Sequence, residues 1–385
     1  KTKRYRDLCE EAERSANSFF SEVAHLVKNL AGRADTFRVR TPNVVSDTVT
    51  ASLKALQSAV KELEDHQKLA LNREELTAAR RLVGEAESFI HEFLEQPDMS
   101  LTYWAAVEKG TYPSVSLHAA PTSVAESIGG RLFQQGRSVI LTSATLSING
   151  SLAYAQQRIG ASKAETLILD SPFDLLRQMR IVIARDIPPP EHEDYEKALP
   201  QFVYHCLMQS QGKALVLFTN LSLMRSVAEG LREKIEQHGI KLLVQDGNTT
   251  RHRLLETFKA DISSVLFGLD SFWMGIDVPG EALEHVIITK LPFAVPDHPL
   301  IESRLELIDR HGGNAFLDFT LPEAVLKFKQ GVGRLIRSRR DRGAVSILDS
   351  RILTKSYGRV FLQSLPRCSV ELLLSDGTIL ELSEM

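Results

Sequence analysis

Cysteine is scarce in this sequence, and no long apolar run is present. The three cysteines, Cys9, Cys206 and Cys368, lie far apart and form no C-x-x-C pair. This spacing indicates neither a disulfide framework nor a zinc or iron–sulfur site, so each thiol is expected to be reduced and structural. No apolar run reaches the ~18 residues needed to span a membrane, and the N-terminus is polar. We therefore expect a cytoplasmic protein without a membrane partner.

A phosphate-binding loop is missing as well. No G-x-x-x-x-G-K-[S/T] sequence occurs, because Gly212-Lys213 lacks the upstream glycine and the following hydroxyl. An Asp-Glu-Ala-His box is also absent. Without the loop lysine for the phosphates, or an acidic pair for Mg²⁺, the chain is not expected to hydrolyse ATP efficiently by itself.

Length and composition are those of an ordinary globular protein. The 385 residues are 43% hydrophobic and 25% charged, which allows two or three separate cores. The net charge of -3 does not by itself indicate a nucleic-acid-binding protein, because a basic face can be hidden in a balanced total. The sequence starts at Lys1 inside a helical pattern, as expected for a part of a longer protein.

Residues 1–100 are predicted to form an all-helical segment. Apolar residues recur there at steps of three or four, which is typical of amphipathic helices. Packing within a helical bundle is a more common reason for such a pattern than a partner-binding coiled coil. The three series run from Leu8 to Leu30, from Leu53 to Leu63 and from Leu76 to Phe93.

After Pro97 the pattern changes to short apolar runs separated by helical segments. Strands that are apolar throughout predict a doubly wound parallel sheet in an α/β fold. Ligands bind beyond the carboxyl ends of the strands in such sheets, so residues after each run are candidates for a site. The predicted strands are residues 138–141, 181–184, 214–218, 241–244, 264–267, 285–289 and 344–348, with helices at 221–237 and 251–259.

The first candidate cluster is a hydroxyl-rich turn that follows residues 138–141. It contains Thr142, Ser143 and Thr145. By itself such a turn is more often structural than functional, because its hydroxyls bond to the local backbone. Its interpretation therefore depends on the other clusters.

The second cluster lies on a predicted helix that starts with a capping box. Thr320 and Glu323 have the required Ser/Thr-x-x-Glu spacing. Further along, Gln330, Arg334 and Arg337 stand at i, i+4 and i+7, which would place them on one helix face. Guanidinium forks match phosphate oxygens. We therefore predict that this face binds a triphosphate.

Three further arginines extend this cluster. With Arg339, Arg340 and Arg342 it holds five arginines in the nine residues from Arg334 to Arg342. Cations are favourable near any helix C-terminus. Contact with nucleic acid and a solvated helix end therefore both stay open.

The third cluster follows the apolar run at residues 264–267 and reads S-F-W-M-G-I-D-V-P-G from Ser271. Gly275 would let the backbone approach a ligand, and Asp277 is suited either to accept a hydrogen bond from a ribose hydroxyl or to orient an arginine. Phe272 and Trp273 are suited to stack on a base. Aromatic residues beside an apolar strand are nevertheless more often core residues.

The order of these clusters resembles motifs III to VI of superfamily 2 helicases. The segments are T-S-A-T at 142–145, L-F-T-N at 217–220, G-I-D at 275–277 and Q-x-x-G-R-x-x-R at 330–337. S-F-W-x-G-I-D-V-P-G at 271–280 and S-P-F at 171–173 are most similar to the DinG/XPD-like DNA helicases. The similarity covers about residues 101–365.

The resemblance implies the C-terminal part of an ATP-dependent DNA helicase that moves 5′ to 3′ on single-stranded DNA. Residues 1–100 would be an arch-type helical segment, residues 101–150 would complete a first RecA-like motor domain, and residues 151–385 would form the second. ATP and Mg²⁺ would be bound mainly by the first motor domain, which the chain would complete as a partner. No iron–sulfur cluster is implied in this part.

Carried over by position, the resemblance also assigns site residues. Arg337 would be the arginine finger, with Arg334 and Gln330 beside it at the triphosphate. The residues implied at ATP, or in coupling it to DNA, are Gly275, Asp277, Ser143 and Thr145. Those implied at DNA are Thr219, Asn220, Ser271, Phe272 and Trp273. Met274 stands where the resemblance leads us to expect an acidic residue, so local polar contacts stay open.

Two other functions stay open on the sequence alone. The missing phosphate-binding loop also fits a non-catalytic nucleic-acid-binding or regulatory module that kept the fold. An RNA helicase is the other alternative, because a motor that follows the backbone need not read the sugar closely.

Overall fold

The computed structural model describes residues 2–31, 35–66, 70–108, 114–133, 138–274, 278 and 280–382. They form two compact units. The first contains residues 1–126 and 295–315, and the second contains residues 127–294 and 316–385. No helix within the described ranges is both long and apolar enough to cross a membrane.

The first unit contains the three predicted helices. They are α1 (Thr2–Leu30), α2 (Thr50–His66) and α3 (Ala70–Glu95). Their apolar stripes face one another, because Phe19 and Val23 of α1 are buried in one cluster with Ile90 and Leu94 of α3. The prediction of helices from period-3.6 patterns is therefore confirmed for this segment.

The first unit also contains a three-stranded antiparallel sheet, so the prediction of an all-helical segment is wrong in this detail. Its strands are β1 (Thr36–Val39), β2 (Leu101–Glu108) and β3 (Ser114–Pro121), in the order β1-β2-β3. β1 pairs with β2 across Thr36 and Ala106. This pairing holds residues 101–121 against the helices, so the boundaries predicted at residues 100 and 150 do not match the division into units.

A helix from later in the chain completes the first unit. It is α11 (Pro299–Arg310). Arg40 lies 2.5 Å from Glu302 and 2.7 Å from Glu306, and Arg38 lies 3.0 Å from Glu306. The hydrogen bond from Arg40 is the main reason that the pKa of Glu306 lies below its ordinary value. A network of this kind is worth more than one exposed ion pair, and it attaches α11 to β1.

The second unit is built on a sheet of eight described strands. The strands are β4 (Met179–Ala184), β5 (Ala214–Leu217), β6 (Lys241–Val244), β7 (Ser264–Gly268), β8 (His285–Ile288), β9 (Gly343–Ile347), β10 (Ser369–Leu373) and β11 (Ile379–Leu382). Their order in the sheet is β11-β10-β4-β9-β8-β5-β7-β6. Neighbouring strands are parallel except for β10 and β11, which pair antiparallel.

Helices cover both faces of this sheet, which confirms the doubly wound α/β prediction. Successive residues of a strand point to opposite faces. Accordingly, Ile181 and Ile183 of β4 belong to one core, and Val182 and Ala184 belong to the other. Helices α7 (Tyr195–Ser210) and α8 (Leu221–Glu236) cover the face of Val182. Helices α9 (Arg251–Ala260), α10 (Asp270–Trp273), α12 (Leu321–Val332), α13 (Arg351–Thr354) and α14 (Gly358–Gln363) cover the other.

Shorter elements connect these layers. The remaining helices are α4 (Ala125–Leu132), α5 (Ala153–Ile159) and α6 (Leu175–Gln178). A 3-10 turn spans Gly280–Ala282, and a π-helical turn, Phe316–Thr320, leads directly into α12. The helices predicted at 221–237 and 251–259 are present as α8 and α9.

The strand predicted at residues 138–141 is not formed. Its backbone has no regular structure, and none of the strands in the described part of the chain pairs with it. Ile140 is 86% exposed. A strand with apolar side chains on both faces needs a sheet neighbour and two covering layers, and the eight-stranded sheet offers neither at this place. A second apolar run, residues 167–169, is exposed in the same way.

Candidate nucleotide and nucleic-acid site

Helix α12 carries Gln330 but ends at Val332, so the predicted single helix face for Gln330, Arg334 and Arg337 is wrong. Gly333 closes the helix, and the N–H of Arg334 turns back to the carbonyl of Gly331 at 3.2 Å. Gly331 and Gly333 place two glycines within three residues, which weakens this end of the helix. Leu335 is 2% exposed, and its burial draws the chain away from the helix axis.

The start of α12 also differs from the prediction. Thr320 has helical backbone angles and makes no capping bond with its side chain. Thr320 is the last residue of the π-helical turn that leads into α12, so it lies inside the helical stretch rather than at its cap. Glu323 instead accepts hydrogen bonds from the hydroxyl of Tyr154 and, at 3.2 Å, from Nε of Arg158. The capping-box prediction is therefore wrong.

Arg334 joins two of the predicted clusters. Its Nε donates to the carbonyl of Gln330 at 3.1 Å and to the carbonyl of Trp273 at 3.3 Å. Trp273 ends α10, directly after β7 and next to Ser271. The end of α12 and the short helix α10 are thus bonded to each other, although 61 residues separate Arg334 from Trp273.

Arg337 lies in the turn that leads into β9. Its side chain is half-buried, and its backbone N–H donates to Oδ2 of Asp341 at 2.8 Å. The nearby Arg339, Arg340 and Arg342 are exposed. Arg342 donates to the carbonyl of Asp341 at 3.0 Å. A solvated turn and a nucleic-acid contact remain equally open for these three arginines.

The hydroxyl-rich turn lies against α12. Ser143 Oγ accepts a hydrogen bond from the N–H of Thr145 at 3.2 Å, so the two residues are brought together locally. Lys329, next to Gln330, donates through Nζ to the carbonyl of Ser147 at 2.6 Å. Burial lowers the pKa of Lys329. The sequence analysis missed Lys329, because its partner lies 182 residues away.

Replacing Lys329 by methionine is expected to release this turn from α12. A hydrogen bond from a charged donor is worth roughly 1.5–3 kcal/mol, so the amides of Thr145 and Ile148 should exchange about tenfold faster with deuterium. Lys327→Met is the matched control, since Lys327 contacts Asp270 and the Trp273 ring instead. Equal exchange rates in the Lys329 variant and the unchanged protein would contradict this role.

Phe272 and Trp273 are core residues, which favours burial over stacking on nucleic-acid bases; their contact with DNA stays a prediction. Both are 0% exposed. Trp273 donates through Nε1 to the carbonyl of Phe218 at 3.3 Å, and its ring lies where a side chain at Gly331 would sit. Burial, the other interpretation of these aromatics, explains why α12 needs glycine at that position.

Thr219, Asn220 and Ser271 follow the carboxyl ends of two neighbouring strands, β5 and β7. Asn220 is exposed, but its side-chain oxygen accepts from the N–H of Leu223 at 2.9 Å and caps α8. Ser271 is exposed and accepts a bond from Gln245 at 3.0 Å. The three residues share one sheet edge, as the strand-end prediction requires.

Two predicted site residues, Gly275 and Asp277, lie outside the described residues. Met274 precedes them and is 54% exposed. Its carbonyl accepts a hydrogen bond from Arg251 at 2.8 Å. Within the described ranges, no group of three or more His, Cys, Asp or Glu residues could hold a metal ion. Cys206 and Cys368 are buried, and Cys9 is exposed.

Residues 203–368 match the family model of a helicase C-terminal domain. The ATP-dependent DNA helicase YoaA of Haemophilus influenzae is 37% identical over 322 residues, which are 83% of this chain and 49% of that protein. YoaA of Escherichia coli is 38% identical over an alignment that spans 71% of this chain and 42% of the Escherichia coli protein. A Bacillus subtilis protein named 3'-5' exonuclease DinG is 38% identical and covers 69% of this chain and 29% of its own length.

Solved structures of XPD helicases share the fold. Two of them align with TM-scores of 0.59 and 0.61 at 16% identity, and each covers 94% of this chain. The alignments cover 64% and 69% of those structures.

The parallel sheet and the matched family model define a helicase C-terminal domain of RecA-like fold. The chain is similar in sequence to the YoaA and DinG proteins over 69–83% of its length, and it shares its fold with XPD helicases. It spans about half the length of YoaA from Haemophilus influenzae, 49%.

Proposed function

We propose that this chain is the second motor portion of an ATP-dependent DNA helicase that moves 5′ to 3′ on single-stranded DNA. The observation that carries the proposal is the bond from Arg334 to the carbonyl of Trp273, at 3.3 Å. It connects the segment suited to phosphate with α10, the short helix after β7 that contains Ser271. A motor needs such a connection, because a change at the nucleotide must alter the grip on the strand.

The chain's role at ATP is electrostatic. Arg337 and Arg334 supply guanidinium groups to a triphosphate bound by a first motor domain, and Gln330 lies beside them. Gly275 and Asp277, which follow α10 in the sequence, contact the nucleotide. A guanidinium stabilises the charge that develops on the transferred phosphoryl group. Mg²⁺ is bound by the first motor domain and enters no step that these residues perform.

The chain's role at DNA is to hold the backbone of a single strand. Thr219, Asn220 and Ser271 follow the carboxyl ends of two adjacent strands, β5 and β7. Hydroxyl and amide groups contact phosphates without reading bases, which suits a protein that moves along any sequence. The two YoaA relatives are named ATP-dependent DNA helicases, so DNA is the proposed substrate, and the cytoplasm is the proposed location.

Two exposed apolar runs support a first motor domain as the partner. Residues 139–141 and 167–169 are rich in Val, Ile and Leu, and Ile140 and Leu169 are 86% and 78% exposed. Apolar strands of this kind are stable only inside a covered sheet. We propose that they pair with the sheet of the first motor domain, while residues 1–100 form the arch-type segment.

The test is ATP hydrolysis by the full-length protein with single-stranded DNA, with RNA and with neither. We expect DNA to stimulate turnover more than RNA, and strand separation to require a 5′ single-stranded end. ATP turnover that does not respond to DNA would contradict the proposal and favour the non-catalytic module. Equal or greater stimulation by RNA would favour an RNA helicase instead.

A further inference from the structure

The direction of the Arg337 side chain depends on a turn rather than on a helix. Because α12 ends at Val332, the turn of residues 337–342, and not a helix, sets the backbone position from which this guanidinium extends. On one side the turn follows the buried Leu335 and Ile336, and on the other it enters β9 at Gly343. An arginine that stabilises a transition state must be held to within about 0.5 Å.

The carboxylate of Asp341 closes this turn from one side. It accepts hydrogen bonds from the N–H groups of Arg337 and Ser338, both at 2.8 Å, and from Oγ of Ser338 at 2.7 Å. Burial alone would raise the pKa of Asp341. The hydrogen bonds from Ser338 and Arg337, with the charge of Arg337, outweigh burial and lower this pKa.

The side chain of Gln178 holds the same turn from the other side. Its Nε2 donates to the carbonyls of Ser338 and Asp341, at 2.8 and 2.9 Å. Gln178 is only 4% exposed. It ends α6 and directly precedes β4, whose first residue, Met179, is paired with Gly343 of β9. Both N–H donors of a buried amide are thus used to attach the turn to the centre of the sheet.

We propose that Gln178 is a positioning residue for the ATPase reaction, acting through the 337–342 turn to set the direction of the Arg337 guanidinium. This inference rests on the proposed function. It goes beyond the motif residues, because Gln178 lies 160 residues before Ser338 and outside every cluster that the sequence indicated. The turn has no hydrophobic packing of its own at its exposed tip, Arg339 and Arg340, so these bonds determine its shape.

The test is Gln178→Met in the full-length protein, which keeps the side-chain length and removes both N–H donors. ATP turnover with saturating single-stranded DNA should fall about 10- to 100-fold, since a displacement of ~1 Å costs up to that much in rate. The KM for ATP should change less than about threefold. In an Arg337→Ala background the same substitution should change turnover less than about twofold, because no guanidinium remains to be positioned.

Gln96→Met is the matched control. Gln96 also donates to two backbone carbonyls, those of Val39 and Thr41, at 3.4 and 3.3 Å, but in the other unit. ATP turnover by the Gln96→Met protein should stay within about twofold of that of the unchanged protein. Wild-type turnover in Gln178→Met, with turnover lost in Arg337→Ala, overturns the inference and leaves the proposed function standing. An equal fall in both backgrounds also overturns it, since it shows a purely structural role.

Thermal unfolding checks that each variant folds. If Gln178→Met does not fold, Asp341→Asn tests the same turn from its other side, and the same fall in turnover, at little cost in KM, is expected. Wild-type turnover in a folded Asp341→Asn protein then overturns the inference. Normal turnover in Arg337→Ala would instead refute the proposed function, and the inference with it.

Discussion

Arg337→Ala is expected to lower the DNA-stimulated ATP turnover of the full-length protein by about a thousandfold. Arginine fingers contribute roughly 10³–10⁵ to phosphoryl transfer, because they meet charge that appears only in the transition state. The KM for ATP should therefore change much less than turnover. Arg337→Lys should recover little of the lost rate, since an ammonium group lacks the planar fork.

Arg339→Ala is the control for this experiment. Arg339 lies in the same turn and is exposed, and its known bond to Arg342 uses only its backbone carbonyl. We expect its turnover within about threefold of the unchanged protein. A large loss in Arg339→Ala with little loss in Arg337→Ala would reassign the catalytic arginine and refute the role given to Arg337.

Trp273→Ala is expected to destabilise the second unit by about 3–5 kcal/mol, the usual range for removing a large buried aromatic side chain. The indole is 0% exposed, packs on Gly331 and leaves the carbonyl of Phe218 without its donor when removed. Urea denaturation followed by circular dichroism measures this loss. Trp273→Phe should cost less, because most of the packing volume remains.

Met274→Ala is the control for stability, since this neighbour is 54% exposed and bonds Arg251 through its carbonyl only. We expect the free energy of unfolding to change by no more than about 0.5 kcal/mol.

The sequence contains two tryptophans, so Trp104→Phe leaves only Trp273. Its fluorescence should then stay unchanged when single-stranded DNA is added. Strong quenching by DNA would show that Trp273 stacks on bases after all.

The strands of the second unit could be predicted from local patterns. Residues 214–218 form a short run that is apolar throughout, and Ala214–Leu217 form the fully buried strand β5 of the parallel sheet. The reason is physical, because a strand buried on both faces must be apolar along its whole length. The same pattern failed at residues 138–141. A local pattern records the need for a sheet neighbour but not whether one is available.

The sequence indicated which residues belong to the candidate site better than it indicated how they are arranged. Gln330, Arg334 and Arg337 have helical spacing, yet the helix ends at Val332, because Gly333 and the burial of Leu335 outweigh the pattern. Lys329 and Gln178 could not be predicted, since their partners lie 182 and 160 residues away. Periodicity reports which residues share a face, and it does not report which distant backbone carbonyl a side chain meets.

The sequence alone determined the class of fold, the order of the clusters and the resemblance to helicases, because these depend on residue types at fixed local spacing. Only the tertiary structure decided that Phe272 and Trp273 are core residues, that Arg334 bonds to the end of α10, and that a buried amide holds the turn of Arg337. Burial and hydrogen-bond partners depend on which distant segments meet, and that is settled when the whole chain packs.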